Sequence, residues 1–105
     1  MKKAELVTAV EQGGIFCLGS FLSGRAEEIQ VRDKQTGGRR AAGVVREVMI
    51  TDTEPVVISR WMKDGEKADS YHCAFKKGDK VVCRVTGLET QNGLIVLRGN
   101  LEPLT

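Results

Sequence analysis

Arg32, Lys34, Arg39, Arg40 and Arg46 place five cations within fifteen residues, with Asp33 and Glu47 at or just beyond the edges of the run. Cations at this density can neutralise consecutive phosphates and displace their counterions. Arg39-Arg40 directly follow Gly37-Gly38, so both are expected to project from the tip of a turn. Trp61, the only tryptophan, lies between Arg60 and Lys63 and offers a flat ring on which a base could stack. Tyr71 is a second candidate stacking residue, whereas Phe75 reads as core. Each residue also has a structural reading. A charged hairpin discourages edge-to-edge aggregation, and a tryptophan can close the open end of a barrel.

Other chemistries find little support. His72 is the single histidine and adjoins Cys73. Neighbouring side chains on a strand point to opposite faces, which argues against a Cys–His nucleophilic pair. Asp64, Glu66 and Asp69 lack the spacing of a calcium loop, and Gly78-Asp79-Lys80 is not a phosphate-binding loop. Cys17, Cys73 and Cys83 are odd in number and contain no CxxC pair, so neither a disulfide framework nor a zinc site is expected. The expectation is a non-enzymatic protein with no metal or cofactor, in a reducing, cytoplasmic compartment.

These residues must be held by small elements. A chain of 105 residues has room for one core, and twelve glycines against two prolines suit a turn-rich β-meander. The net charge of +2 leaves the partner open, because a local patch matters more than the total. Leu6, Val7 and Val10 stand at helical spacing before Gly13-Gly14, although Leu6, Thr8 and Val10 also alternate as in a strand. Ile15 to Leu22 is apolar, but Glu5, Glu11 and Gln12 interrupt the stretch a signal peptide would need. No segment is long enough to span a membrane as a helix.

From Ile15 onward the pattern is that of strands. Ile29, Val31 and Asp33 alternate with Glu28, Gln30, Arg32 and Lys34, and Gln35-Thr36-Gly37-Gly38 predicts a hairpin turn. Arg40 to Thr51 returns, and Glu54 to Met62 follows with Pro55 near its start, where a missing amide is tolerated. Taking Val56, Ile58, Arg60 and Met62 as the core row turns Val57, Ser59 and Trp61 outward. Residues 63 to 75 read as a loop, a helical turn or a short strand. Val81, Cys83 and Val85 then alternate with Arg84 and Thr86, and Asn92-Gly93 is a strong hairpin signal before a last strand, Leu94 to Arg98.

Five strands with a long connection between the third and fourth resemble the oligonucleotide-binding (OB) fold. The segment Phe75-Lys76-Lys77-Gly78-Asp79-Lys80-Val81, continuing through Val82-Cys83-Arg84-Val85 to the Asn92-Gly93 hairpin, looks like the closing end of many OB domains. The likeness covers residues 15 to 102 in outline and 75 to 99 in pattern. In size and layout the chain is also similar to the small helix-destabilising proteins of filamentous bacteriophages, compact OB-type dimers that coat single-stranded DNA. The shared outline is a long basic first hairpin, Arg32 to Arg46, and a short closing one, Val81 to Leu97. That family is shorter and has no counterpart of the first twenty residues here, so no individual contact residue is carried across.

The resemblance implies an all-β, five-stranded Greek-key barrel over residues 15–102, with an N-terminal extension, 1–14, that can hold a short helix. It implies binding of single-stranded DNA, as in phage or mobile-element DNA replication; by their own charge and flat rings, Arg32, Lys34, Arg39, Arg40, Arg46, Arg60, Trp61, Lys63 and Tyr71 are the expected contacts. The first hairpin loop and the outward face of the third strand are binding surfaces in OB folds. RNA is an alternative ligand, and a protein-interaction module is the rival from a different class. In that reading Ile15 to Leu22 would be an assembly surface. A homo-oligomer, with a dimer favoured, is expected because a barrel this small has a modest core.

Overall fold

The computed structural model describes residues 1–63 and 65–105, and at Gln91 the backbone alone. Asp64, one of the three loop acids considered above, lies outside the described residues. Among the described residues the chain forms helix α1 (Lys3–Glu11) and five strands: β1 (Phe16–Arg32), β2 (Arg39–Thr51), β3 (Glu54–Trp61), β4 (Lys80–Gln91) and β5 (Leu94–Pro103). One 3-10 turn, Ala68–Ser70, interrupts the connection between β3 and β4.

The strands close in the order β1-β2-β3-β5-β4. β1 makes closure possible by serving two partners. Its first residues, Phe16 to Ser20, pair with β4, and from Ser20 to Arg32 it pairs with β2. A register shift between Phe21 and Ser23 bends the strand where it changes partner, as bulges do at barrel corners. The ring is completed by a short parallel ladder that joins Val57, Ile58 and Ser59 of β3 to Val96, Leu97 and Arg98 of β5.

Side chains alternate across this wall. Phe21, Met49, Ile58, Val81 and Cys83 form the buried interior cluster, with Cys17, Val56, Phe75, Val85, Leu97 and Leu101 packed against it. Ile58 is buried with Val56 beside the cluster and Trp61 is exposed, as the alternation predicts, whereas Ser59 of the outward row is buried as well. Both hairpin turns are where their residues put them. Asp33 organises the first, its carboxylate accepting from the Gln35 amide (2.9 Å) and its carbonyl from the Gly37 amide (2.8 Å). Asn92 (φ 50°) and Gly93 (φ 79°) form the second with both central residues left-handed.

Residues 3 to 11 are helical, not extended, and Gly13-Gly14 follow the helix. α1 buries none of its residues. The Met1 amino group donates to the Pro103 carbonyl, and the Thr105 amide donates to the Met1 carbonyl (3.0 Å), so the two ends of the chain meet. β5 runs to Pro103, five residues beyond Arg98 where the sequence pattern ends, because Gly99 to Pro103 continue the ladder with β4. The three cysteines are free thiols. Among the described residues no helix is long and apolar enough to cross a membrane.

Candidate nucleic-acid interface

The outward row of β2 carries Val44, Arg46 and Val48, whose register partners on β3 are Trp61, Ser59 and Val57. Across the parallel ladder Ser59 faces Arg98 and Val57 faces Val96. On the other flank Arg25 pairs with Arg46, Glu27 with Val44 and Ile29 with Ala42. Because paired residues point the same way, these side chains share one outer face of the barrel.

The face is concave. One depression of about 270 Å³ is lined by Ile29, Val44, Arg46, Ser59, Trp61 and Arg98, among others. A second, of about 510 Å³, is lined by Arg25, Arg46, Val48, Val57, Leu94 and Val96, among others. Arg46 borders both, and together the two depressions make up the trough on this face. Its floor is apolar at Val44 and Val96, both buried. Trp61 is 49% exposed at one end, free to meet a planar ligand.

Of the four arginines that line the depressions, Arg46 and Arg98 hold carboxylates closely. The Arg46 Nε lies 2.6 Å from a Glu27 carboxylate oxygen, and Arg25 approaches the same carboxylate at 4.0 Å. Arg98 is hydrogen-bonded through Nε to Glu89. A phosphate placed here would compete with two carboxylates, whereas a base has both apolar surface and polar edges to meet. More positive charge lies further along the first hairpin. Arg32 and Arg39 are register partners, a like-charge pair that costs stability until an anion sits over it. Among the described residues neither forms an ion pair. Asp33, the acid nearest to them in sequence, is committed to the turn.

The nine candidate residues thus fall into separate groups. Arg46, Arg60 and Trp61 line one depression, although Arg60 is paired with Val45 of the inward row. Arg40 and Lys63 border a small cleft of about 40 Å³ between the first hairpin and the β3–β4 connection. Arg32, Lys34 and Arg39 are exposed at the hairpin end. Tyr71 is anchored through its hydroxyl. Its hydroxyl donates to Glu47 (2.8 Å), a carboxylate only 4% exposed. Burial first, and then the Glu47 carboxylate, push the phenol pKa well above its usual value. Glu47 shares the inward row with Val45 and Met49, where the sequence pattern does not anticipate a carboxylate.

Arg25, Glu27, Glu89, Arg98 and Asn100 border the depressions or hold the arginines that do, and sequence reasoning missed them. The alternation Leu94, Val96, Arg98, Asn100 was the available signal. Ending the last strand at Arg98 concealed it.

No protein-family model matches the chain, and no curated protein matches it in sequence. Among solved structures it is similar to the solution NMR structure of the OB domain of Ta0387 from Thermoplasma acidophilum. The TM-score is 0.50, at 14% sequence identity, over 98% of this chain and 84% of that one. The chain is an OB barrel. At this identity the likeness is one of fold. The trough lies on the face crossed by β2, β3 and β5.

Proposed function

We propose that this OB barrel is a non-enzymatic single-stranded DNA-binding protein. The observation that carries the reading is Trp61, half-exposed and in register with Val44 on the face that also bears Arg46, Ser59 and Arg98. In this mechanism a base stacks on Trp61 over the apolar floor of the trough. The backbone of the strand runs toward the first hairpin, where Arg32, Lys34, Arg39 and Arg40 meet phosphates, with Lys63 beside Arg40. Stacking is tolerant of sequence because every base has a π-face, so recognition is weakly sequence-dependent. Duplex is disfavoured because its bases are already stacked on one another. RNA meets the same surface chemistry, and a direct comparison of the two strands decides between them.

Fluorescence titration of Trp61 with a mixed-sequence single-stranded DNA oligonucleotide at two salt concentrations tests the proposal. Quenching that weakens with salt and is absent with duplex supports it. An unchanged signal, together with no retention on a single-stranded DNA column at low salt, overturns it and transfers the function to a protein-binding barrel.

A further inference from the structure

Cys17 and Cys83 are register partners where the start of β1 pairs with β4. Partners across an antiparallel ladder point to the same side, and here that side is the interior. Cys83 is fully buried in the core cluster, and Cys17, half-buried, packs against it. Backbone bonds at both ends of the ladder fix its phase. The Val85 amide donates to the Ile15 carbonyl (2.9 Å), and the Phe21 amide donates to the Asp79 carbonyl (2.8 Å). Hydrogen-bonded pairs recur at every second residue, so Cys17 and Cys83 form one, with Cα atoms about 5.5 Å apart. A disulfide spans about 4.4–6.8 Å between Cα atoms, so the backbone separation is already suitable. The β-carbons of such a pair stand about 4.5–5.5 Å apart and must draw in to the disulfide range of about 3.5–4.5 Å. Access differs between the two thiols. Cys17 lines a surface groove of about 460 Å³, together with Ile15, Val85 and Leu97, whereas Cys83 lies behind it.

We infer that Cys17 and Cys83 form a reversible thiol–disulfide switch, closed by hydrogen peroxide across the β1–β4 seam of the barrel. The oxidant enters the groove and meets Cys17 first. The Cys17 thiolate attacks one peroxide oxygen, the O–O bond breaks, and the departing hydroxide takes up the proton the thiol released. Water and Cys17 sulfenic acid result. The Cys83 sulfur then attacks the Cys17 sulfur, the S–O bond breaks, and hydroxide leaves as water with the Cys83 proton. The two thiols lose two electrons between them, and the peroxide becomes two waters. Burial first, then Cys17 and Glu47, push the Cys83 thiol up to about 11, which keeps it protonated until this second step. Because the β-carbons must be drawn together, the bond is strained, and strained disulfides are the easily reduced, regulatory kind. Its position gives the bond an effect. β1 meets β4 only through Phe16 to Ser20, and β2 and β3 both lie between the two cysteines in sequence. A cross-link that closes so long a loop restrains the unfolded chain and holds the seam shut. Neither thiol lines the trough, so the switch is independent of what the trough binds.

Peptide mapping under non-reducing conditions tests the switch on the Cys73→Ser protein, which lacks the exposed third thiol. After hydrogen peroxide, the tryptic peptides covering residues 4–25 and 81–84 should be recovered joined, and dithiothreitol should separate them. A non-reducing denaturing gel should place the link within one chain, with far-ultraviolet circular dichroism unchanged. The urea midpoint should rise on oxidation and return on reduction. Adding Cys17→Ser should abolish both the linkage and the rise; the Cys17 sulfur lies 3.7 Å from the Thr51 hydroxyl, so a serine there has a polar neighbour. Peptides that stay separate while Cys17 proceeds to sulfinic acid overturn the inference. So does a link between chains, a link that forms only in urea, or a midpoint that oxidation leaves unchanged.

Discussion

The hydroxyl of Tyr71 and the carboxylate of Glu47 meet at 2.8 Å in the barrel, joining the β3–β4 connection to β2. Glu47 stands in the inward row between Val45 and Met49, both fully buried, so the phenol supplies a polar partner that the interior otherwise lacks. Tyr71→Phe deletes the donor and leaves the acceptor buried. It should lower unfolding free energy by about 1–3 kcal/mol, measured by urea denaturation, while single-strand affinity falls little.

Cys83 makes stability sensitive to alkali. Burial first, then the neighbouring Cys17 and Glu47, push its thiol from the usual 9.0 up to about 11. A raised folded-state value means the contribution is complete below the unfolded value and is lost as pH climbs through the folded one. Between about pH 9 and pH 11 the wild type should lose on the order of 2 kcal/mol through this group, at about 1.4 kcal/mol per unit. Cys83→Val should lack that component when the two proteins are denatured in parallel across the window. Tyr71 acts in the same direction at higher pH.

Trp61→Ala separates binding from folding. The ring is half-exposed, so stability should change by less than that of a core deletion. Affinity for single-stranded DNA should fall by about 1–3 kcal/mol if the ring stacks a base, read by fluorescence anisotropy of a labelled oligonucleotide. Trp61→Phe should recover part of it.

The hairpin arginines should appear in the salt dependence. For a single strand, each phosphate contact contributes about 0.7 to the slope of log K against log salt. Arg39→Ala and Arg40→Ala together should lower that slope by about 1.4 if each meets one phosphate, with similar losses on unrelated sequences.

Gly99 holds the shape of the trough wall. β4 and β5 change register between Val85 and Gly87, and Gly99, opposite Val85, lies so close that a Cβ there would fall on the Arg84 carbonyl. The obstacle is backbone, which cannot rotate away as a side chain can. Gly99→Ala should destabilise by about 3 kcal/mol or more, read as a lower melting temperature, and should also shift Arg98 and Asn100.

Local chemistry determined much of this protein. Asp33 with Gly37-Gly38 sets one turn and Asn92-Gly93 the other, because positive φ and side-chain capping are properties of a few neighbouring residues. The alternation of Val56 and Ile58 with Val57, Ser59 and Trp61 assigned the tryptophan to the outer face, since a strand has a period of two. The basic hairpin was likewise visible in the run from Arg32 to Arg46. Three things depended on tertiary structure. The parallel ladder from Val57–Ser59 to Val96–Arg98 brings residues roughly forty positions apart into register, so Arg98 joined Trp61 only once the barrel closed. Glu27 and Glu89 became partners of Arg46 and Arg98 in the same way. Tyr71 met Glu47 only in the folded barrel, its hydroxyl donating to a carboxylate of the inward row. Periodicity reports which side of a strand a residue faces; only closure decides whether that side is interior, trough or open water.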